Sequence, residues 1–432
     1  MLQPGQTVSV LLEKPAAGGR MIARVNGQVV LVAGAIPGER VLAQIDRVGK
    51  GVAYAKTITV EEPSMDRVAV ASDPQCGGCS FAHIGYERQR EIKSLIIADA
   101  FARIAGAPLQ SPVAVARSPI EGYRMRARLH RRGRQLGFFR EGTHELCDAR
   151  QTRQLLPATC DVIDILGDEL VRLGMDEVTE VELAENADAS QRVVHLHTLH
   201  TSGLAPREQV LALASVTGLT VSTPYGGCRV LSGSPHVTDR VEVRGGPAPS
   251  TQPAGGSVAV RRHVLAFFQG NRFLVHDLVA HVVEQVPIGS RVVDLYAGGG
   301  LFAVAAARAR QARVTAVEGD KVGADDLIAN AVSTDGVAVH ALHQSVEMFV
   351  GSASRDADVV IVDPPRTGLS REALDGVVRL APRRVVYVSC DVATLARDAR
   401  RLIAGGYQMA SIEAFDLFPV TAHVESVVVF EK

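Results

Sequence analysis

Residues 291–310 read Arg291-Val-Val-Asp-Leu-Tyr-Ala-Gly-Gly-Gly-Leu-Phe-Ala-Val-Ala-Ala-Ala-Arg-Ala-Arg310. A short apolar run ends on a Gly-rich turn, and a second run rich in Ala and Val begins directly after it. The first run has the length of a buried strand and the second that of a helix. Small residues in the turn let backbone come close to a ligand and let the helix pack tightly on its strand. A strand–turn–helix unit of this kind is the opening of a doubly wound α/β sheet.

The same rhythm continues around it. Strands are expected at Arg291–Leu295, Arg313–Glu318, Ala357–Val362, Val385–Ser389 and Glu425–Phe430, with helices at about 301–310, 320–332, 371–380 and 393–404. Alternation of this sort implies a parallel sheet, with ligands beyond the carboxyl ends of its strands. Chemistry-bearing residues fall at those ends. Glu318 closes the second strand, where a carboxylate accepts both hydrogen bonds of a ribose diol. Asp363-Pro-Pro-Arg366 follows an apolar strand and forms a rigid loop that holds an acid at the reaction centre. A nicotinamide fingerprint is partly available in Gly298-Gly-Gly-Leu-Phe-Ala303, yet Asp294 and the Asp-Pro-Pro loop fit S-adenosylmethionine better.

Cys390 lies just past the strand Val385–Ser389, with the basic helix Thr394–Arg401 behind it to favour a thiolate. By itself it reads equally as an inert core thiol. His423 and Glu425 share one face of a stretch entering the last strand. Glu425 is there either a general base or a solvated acid.

Before residue 258 the pattern changes. Residues 1–62 carry five short alternating strands separated by Gly18-Gly19, Asn26-Gly27 and Pro37-Gly38, as a small OB-like barrel requires. Such a barrel is a scaffold for oligonucleotides or simply a structural module. Residues 63–257 read as a mixed α+β region with a helix at Tyr86–Ile104 and strand-like runs near 122–140 and 192–200. A Gly/Pro/Ser-rich stretch over 245–257 reads as a linker, which puts a boundary before residue 258. Residues 117–153 hold ten Arg against four acids. Arg124, Arg126 and Arg128 alternate along a strand and present one face to a phosphate backbone, or simply to water.

Composition narrows the classes. The chain has 432 residues, 47% of them apolar, and its 46 basic and 47 acidic side chains nearly cancel. An RNA partner must therefore be argued from local patches. No apolar run is long enough for a transmembrane helix, no secretory signal is visible, and a cytoplasmic monomer is expected. Six cysteines are too few for a disulfide scaffold in a chain this long.

Taken in order, Phe268-Gln269-Gly-Asn271, Asp294-Leu-Tyr-Ala-Gly-Gly-Gly, Glu318, Asp363-Pro-Pro-Arg366-Thr-Gly, Ser389-Cys390 with Thr394-Leu-Ala-Arg-Asp398, and His423-Val-Glu425 resemble the uracil-C5 RNA methyltransferases. Residues 1–60 resemble the TRAM domain that many members carry. The resemblance implies a C-terminal Rossmann-like methyltransferase domain at 258–432 that uses S-adenosylmethionine. It implies Cys390 as nucleophile on uracil C6 and Glu425 as the base removing the C5 proton. Gln269, Tyr296, Glu318 and Asp363 are implied at the cofactor, with Arg366 joining the Arg-rich strands as a contact for RNA. A TRAM-like domain leans the reading toward ribosomal rather than transfer RNA. Ala297 and Val392 depart from the usual Cys and Pro without touching the chemistry. The iron–sulfur cluster of many members is not expected, because only Cys76-Gly-Gly-Cys79 of its four cysteines is present. Val70 and Thr152 stand at the other two places, with Cys147 and Cys160 nearby. A cubane needs four thiolates. The alternative to an enzyme is an RNA-binding or RNA-folding protein on a vestigial methyltransferase fold.

Overall fold

A computed structural model of the chain describes residues 2–70, 72–73, 75–198, 215–222, 227–244, 255–334, 336–353 and 356–432. The N-terminal strands form because apolar and polar residues alternate. In Arg40–Val48, for example, Val41, Ala43 and Ile45 turn inward while their neighbours stay more open. Six strands run in the order Thr7–Leu11, Arg40–Val48, Val52–Glu62, Gln28–Ala33, Met21–Val25, Lys14–Pro15. Thr7–Leu11 comes back beside Met21–Val25, so the sheet curls around its own core in OB-like fashion. That core also takes in Phe81, Ile84, Ile92 and Ile96 from the next segment.

The expected helix at 86–104 is an α-helix over Tyr86–Ala100 that passes into one π-helical turn at Phe101–Ala105. The central sheet has seven strands, in the order Leu146–Asp148, Gln135–Phe139, Arg126–Arg132, Val178–Glu185, Arg192–Thr198, Gly218–Ser222, Cys228–Gly233. The helix Pro157–Arg172, which the sequence reading had not marked, covers one face with Cys160, Ile163, Leu166 and Leu170.

Residues 245–254 of the expected linker lie outside the described residues. The strands on either side, His236–Arg244 and Gly255–His263, pair antiparallel along their whole length. A boundary at 257/258 therefore cuts through a hairpin. A Gly/Pro-rich composition suits a connection between paired strands as well as one between domains.

The C-terminal sheet has eight strands, ordered Ala338–His343, Arg313–Glu318, Arg291–Leu295, Val359–Val362, Arg384–Ser389, Glu425–Glu431, Gln408–Phe415, Val115–Ala116. The first five are mutually parallel, and Glu425–Glu431 runs against both of its neighbours. Helices stand on both faces, so the sheet is doubly wound and Rossmann-like. The expected helices appear as Leu301–Arg310, Lys321–Ser333, Arg371–Leu380 and Val392–Ala404. Val275–Glu284, Val346–Ser352 and the strands 338–343 and 408–415 were not anticipated. Ala338–His343 and Gln408–Phe415 are partly exposed strands whose polar–apolar mixture hides them from a search for apolar runs. No helix among the described residues is long and apolar enough to cross a membrane.

Candidate active site

Each strand end contributes one group. Leu295 and Val362 are neighbours in the parallel register, so Tyr296 and Asp363 leave the sheet side by side. Ser389 faces Ser426 across the antiparallel pair, and one step further this register sets Cys390 opposite Glu425. Sequence positions 296, 363, 390 and 425 thus converge at one sheet edge because four strands end there.

The Gly-rich turn is a close-approach device. Gly298 and Gly300 hold φ of +54° and +87°, and a Cβ on Gly300 would come within 2.6 Å of Leu327. Glu318 accepts hydrogen bonds from the amides of Gly298 (2.7 Å) and Asp320 (2.6 Å), which fixes its carboxylate beside the turn. Tyr296 sits in the left-handed region at φ +61°, a conformation that costs a non-Gly residue about 1 kcal/mol and clusters at functional sites.

The acids here lack cations. Asp294 is fully buried with no cation against it among the described residues, and the Ala303 amide is the group that favours its charged form. Burial and the nearby charges of Asp363 and Glu318 push its pKa well above the usual carboxylate range. Burial likewise pushes Asp363 up to about 7, opposed by the amide of Gln269, whose Nε2 donates to Oδ2 at 2.9 Å. Acids with raised pKa values beside the Glu318 carboxylate suit a ligand that carries positive charge and a diol. The sulfonium, amino group and ribose of S-adenosylmethionine meet that description.

Cys390 is half-buried at the start of the helix Val392–Ala404, which Asp391 caps by accepting from the Thr394 amide at 2.9 Å. Burial, and then the carboxylate of Glu425, push the Cys390 thiol up to about 12, while Arg366 pulls the other way as charge and hydrogen-bond donor. Glu425 is 2% exposed. Burial and Asp363 drive its pKa well above the usual range, again opposed by Arg366. Both shifts favour the protonated forms of Cys390 and Glu425, and exposed Arg366 is the cation that favours their charged forms. His423 is held neutral by burial, with its pKa lowered to about 4, and the charges of Arg366 and Lys93 add to the effect.

The expected RNA contacts fare differently. Arg126 is paired with Glu182 at 2.7 Å and Arg128 with Glu180. These acids lie on the adjoining strand, Val178–Glu185. Arg124 donates to Gln154 Oε1 (2.7 Å) and the Arg126 carbonyl (2.8 Å), with its guanidinium 5.1 Å from the Phe138 ring. The alternating arginines thus meet protein partners first, which a count of local charge cannot reveal. Cys76 and Cys79 lie far from Cys390 in sequence but in one buried cluster with Cys147, to which Cys76 is joined by a disulfide.

Sequence reasoning also missed a buried frame behind the site. Lys93 and Asp416 form an ion pair with both side chains at 0% exposure. Lys93 Nζ also donates to the Phe418 carbonyl at 3.1 Å. Asn271 Nδ2 donates to Ser118 Oγ (2.8 Å) and the Leu417 carbonyl (3.1 Å), while its Oδ1 accepts from the Phe273 and Leu274 amides. The turn leading to Glu425 is thereby pinned from two sides. The signal available was the Asp416-Leu-Phe-Pro run; its lysine partner is 323 residues away.

Residues 254–432 match the tRNA (Uracil-5-)-methyltransferase family model, and residues 2–58 match the TRAM domain. A 23S rRNA (uracil(1939)-C(5))-methyltransferase of Alkalilimnicola ehrlichii is 31% identical, the match covering 96% of this chain and 94% of that protein. A protein of Thermotoga maritima described as an uncharacterized RNA methyltransferase is 30% identical, with 98% of each chain covered. The crystal structure of the Pyrococcus abyssi tRNA (uracil-54, C5)-methyltransferase, in complex with S-adenosyl-L-homocysteine, superposes with a TM-score of 0.76. It shares 25% identity and covers 98% of this chain and 99% of its own.

Proposed function

The chain belongs to the S-adenosylmethionine-dependent RNA uracil-C5 methyltransferases, and from that premise we propose that it methylates a uridine of 23S ribosomal RNA through a covalent Cys390 adduct. The observation that carries the mechanism is the register that places Cys390 opposite Glu425 at the sheet edge, with Arg366 acting on both.

C5 of uracil is too weak a nucleophile to take a methyl group unaided. Addition of a thiolate at C6 turns it into an enolate-like carbon. Cys390 Sγ makes that bond after giving up its proton to solvent, with Arg366 stabilising the thiolate. S-adenosylmethionine would supply a methyl group made electrophilic by its sulfonium and leave as S-adenosylhomocysteine; Gln269, Tyr296, Glu318 and Asp363 are the residues that would hold it. Once C5 carries the methyl group, Glu425 takes the C5 proton, the C5–C6 double bond re-forms and Sγ leaves. Glu425 first loses its own proton to solvent, favoured by Arg366, and its burial makes it a strong base once ionised.

Ribosomal rather than transfer RNA is favoured by the similarity to 23S rRNA enzymes along nearly the whole chain. Arg366 is the RNA contact beside the reacting base; Arg124, Arg126 and Arg128 on the central sheet reach RNA only by exchanging their present partners, Gln154, Glu182 and Glu180. The working division is a TRAM-like barrel at 1–62, a central region, and a methyltransferase domain that takes in the hairpin from His236 onward. We assign the chain as a monomer of the cytoplasm.

The test is mass spectrometry of unmodified ribosomal and transfer RNA after incubation with the protein and S-adenosylmethionine. New 5-methyluridine at one site in 23S rRNA is expected. A methyl group on transfer RNA alone would overturn the substrate assignment, and a methyl on another base would overturn the chemistry. Failure to bind S-adenosylmethionine in calorimetry would favour an RNA-binding protein on a vestigial fold.

A further inference from the structure

The family resemblance points to a four-cysteine cluster that this chain does not complete. Val70, at one of the places, is 41% exposed. Thr152, at another, spends its hydroxyl on the Ala149 carbonyl at 2.7 Å. Among the described residues no group of three or more His, Cys, Asp or Glu side chains is placed to hold a metal ion. Three thiols remain together, Cys76, Cys79 and Cys147, all at most 3% exposed, and Cys76 and Cys147 are joined as a disulfide with Cα atoms 5.8 Å apart. The Cys76–Cys147 Cα spacing is ordinary for a disulfide, and three sulfurs are one short of the four thiolates a cubane needs.

The bridge stands behind the catalytic turn. It ties the 76–84 loop to Leu146–Asp148 at the edge of the central sheet. That loop in turn grips Val420. The Phe81 amide donates to the Val420 carbonyl at 2.8 Å, and Gln89, just after the loop, accepts from the Val420 amide at 3.0 Å. The Val420 side chain packs on the three cysteines together with Phe138, the ring under Arg124. Val420 holds φ at +64°, a region a β-branched residue adopts only when its surroundings impose it. Glu425 follows five residues later.

We propose that the Cys76–Cys147 disulfide braces the 76–84 loop against the central sheet, and that making or breaking it sets the position of the turn carrying Glu425. The bond forms by exchange with a low-molecular-weight disulfide of the glutathione type. Two protein thiols give up two protons and two electrons, and the small disulfide is reduced to two thiols. Cys79 is free and buried against the bridge, and burial raises its thiol pKa, which keeps it protonated and out of the exchange. Intracellular disulfides are more often redox devices than structural staples.

The bridge stands independently of the activity proposed above; its effect on methylation rests on that reading. The protein is purified without reductant, trapped by alkylation under denaturing conditions, and mapped by mass spectrometry alongside iron and sulfide analysis. Wild type and the Cys76→Ser/Cys147→Ser variant are then compared with and without a phosphine reductant, by melting temperature, kcat, and S-adenosylmethionine affinity. A linked 76–147 peptide without iron is expected. Reductant should lower the wild-type melting temperature by roughly 5 °C and kcat severalfold, leaving cofactor affinity unchanged. The double variant should start at the lowered values and ignore reductant. Stoichiometric iron and sulfide, a mapped pair of free thiols, an unresponsive wild type, or an effect that persists in the double variant would each overturn the proposal. Should the double variant not fold, mapping and the wild-type response decide. Melting that responds while no RNA is methylated would sink the functional reading and leave the brace.

Discussion

At the residue scale the site is a set of acids waiting for a cation. Asp363 is shifted from 3.8 to about 7, so between those values the folded chain holds a proton that the unfolded chain has lost. The contribution of Asp363 to stability therefore falls as pH rises from about 4 through 7. A cationic ligand needs the carboxylate, so its affinity runs the other way. We predict that S-adenosylmethionine binding weakens below pH 7, by up to about tenfold per pH unit, and that Asp363→Asn flattens this slope. Isothermal titration between pH 5.5 and 8 checks it, and an equally steep slope in the variant would refute the assignment. The two groups that act on the base separate in a second experiment. Glu425→Gln should still form the Cys390 bond to RNA but release it slowly, so that a protein–RNA adduct accumulates on denaturing gels. Cys390→Ala should form none, with 5-fluorouridine RNA as the positive control for wild type. A Glu425→Gln enzyme that turns over normally would remove Glu425 from the mechanism.

At the scale of elements, the helix Tyr86–Ala100 does more than cover the barrel. Its Lys93 is buried against Asp416, which sits between the strand Gln408–Phe415 and the turn to Glu425. Lys93→Met leaves a buried, uncompensated carboxylate, which costs about 3–5 kcal/mol. The paired change Lys93→Met/Asp416→Leu removes both charges and should recover most of that loss in urea denaturation. Equal destabilisation in single and double variants would mean that the pair is not coupled. The Lys93→Met enzyme should also lose kcat, since the pair fixes the turn on which the base stands.

At the scale of the whole molecule the barrel, the central sheet and the methyltransferase sheet share surfaces. Phe81, Ile84, Ile92 and Ile96 complete the barrel core, and Val115–Ala116 extends the far edge of the C-terminal sheet. Truncation before residue 63 should therefore expose those four side chains. We expect a melting temperature lower by several degrees, with increased binding of a hydrophobic dye, as well as weaker RNA binding. A truncated protein with unchanged melting would show that the barrel is only tethered.

Much of this was legible in the chain itself, because the signals are local. Strand length, the Gly-rich turn and the Asp-Pro-Pro loop each lie within a few residues, so the doubly wound sheet and the placement of Asp363 and Cys390 at strand ends could be read directly. Strand order then brings these ends together, since parallel strands all finish on one side. Local reading failed where partners are distant. Arg126 and Arg128 look free for phosphate until Glu182 and Glu180 come alongside on another strand. The stretch at 245–257 looks like a linker until the strands beside it pair. Lys93 finds Asp416, and Cys76 finds Cys147, only once separate elements have packed. The sequence by itself determined the sheet and the cofactor class and singled out Cys390 as the candidate nucleophile, through short-range pattern and residue chemistry. The tertiary structure alone decided which charges are already spent and what holds the base in place, because burial and pairing are properties of side chains that meet only in the folded chain.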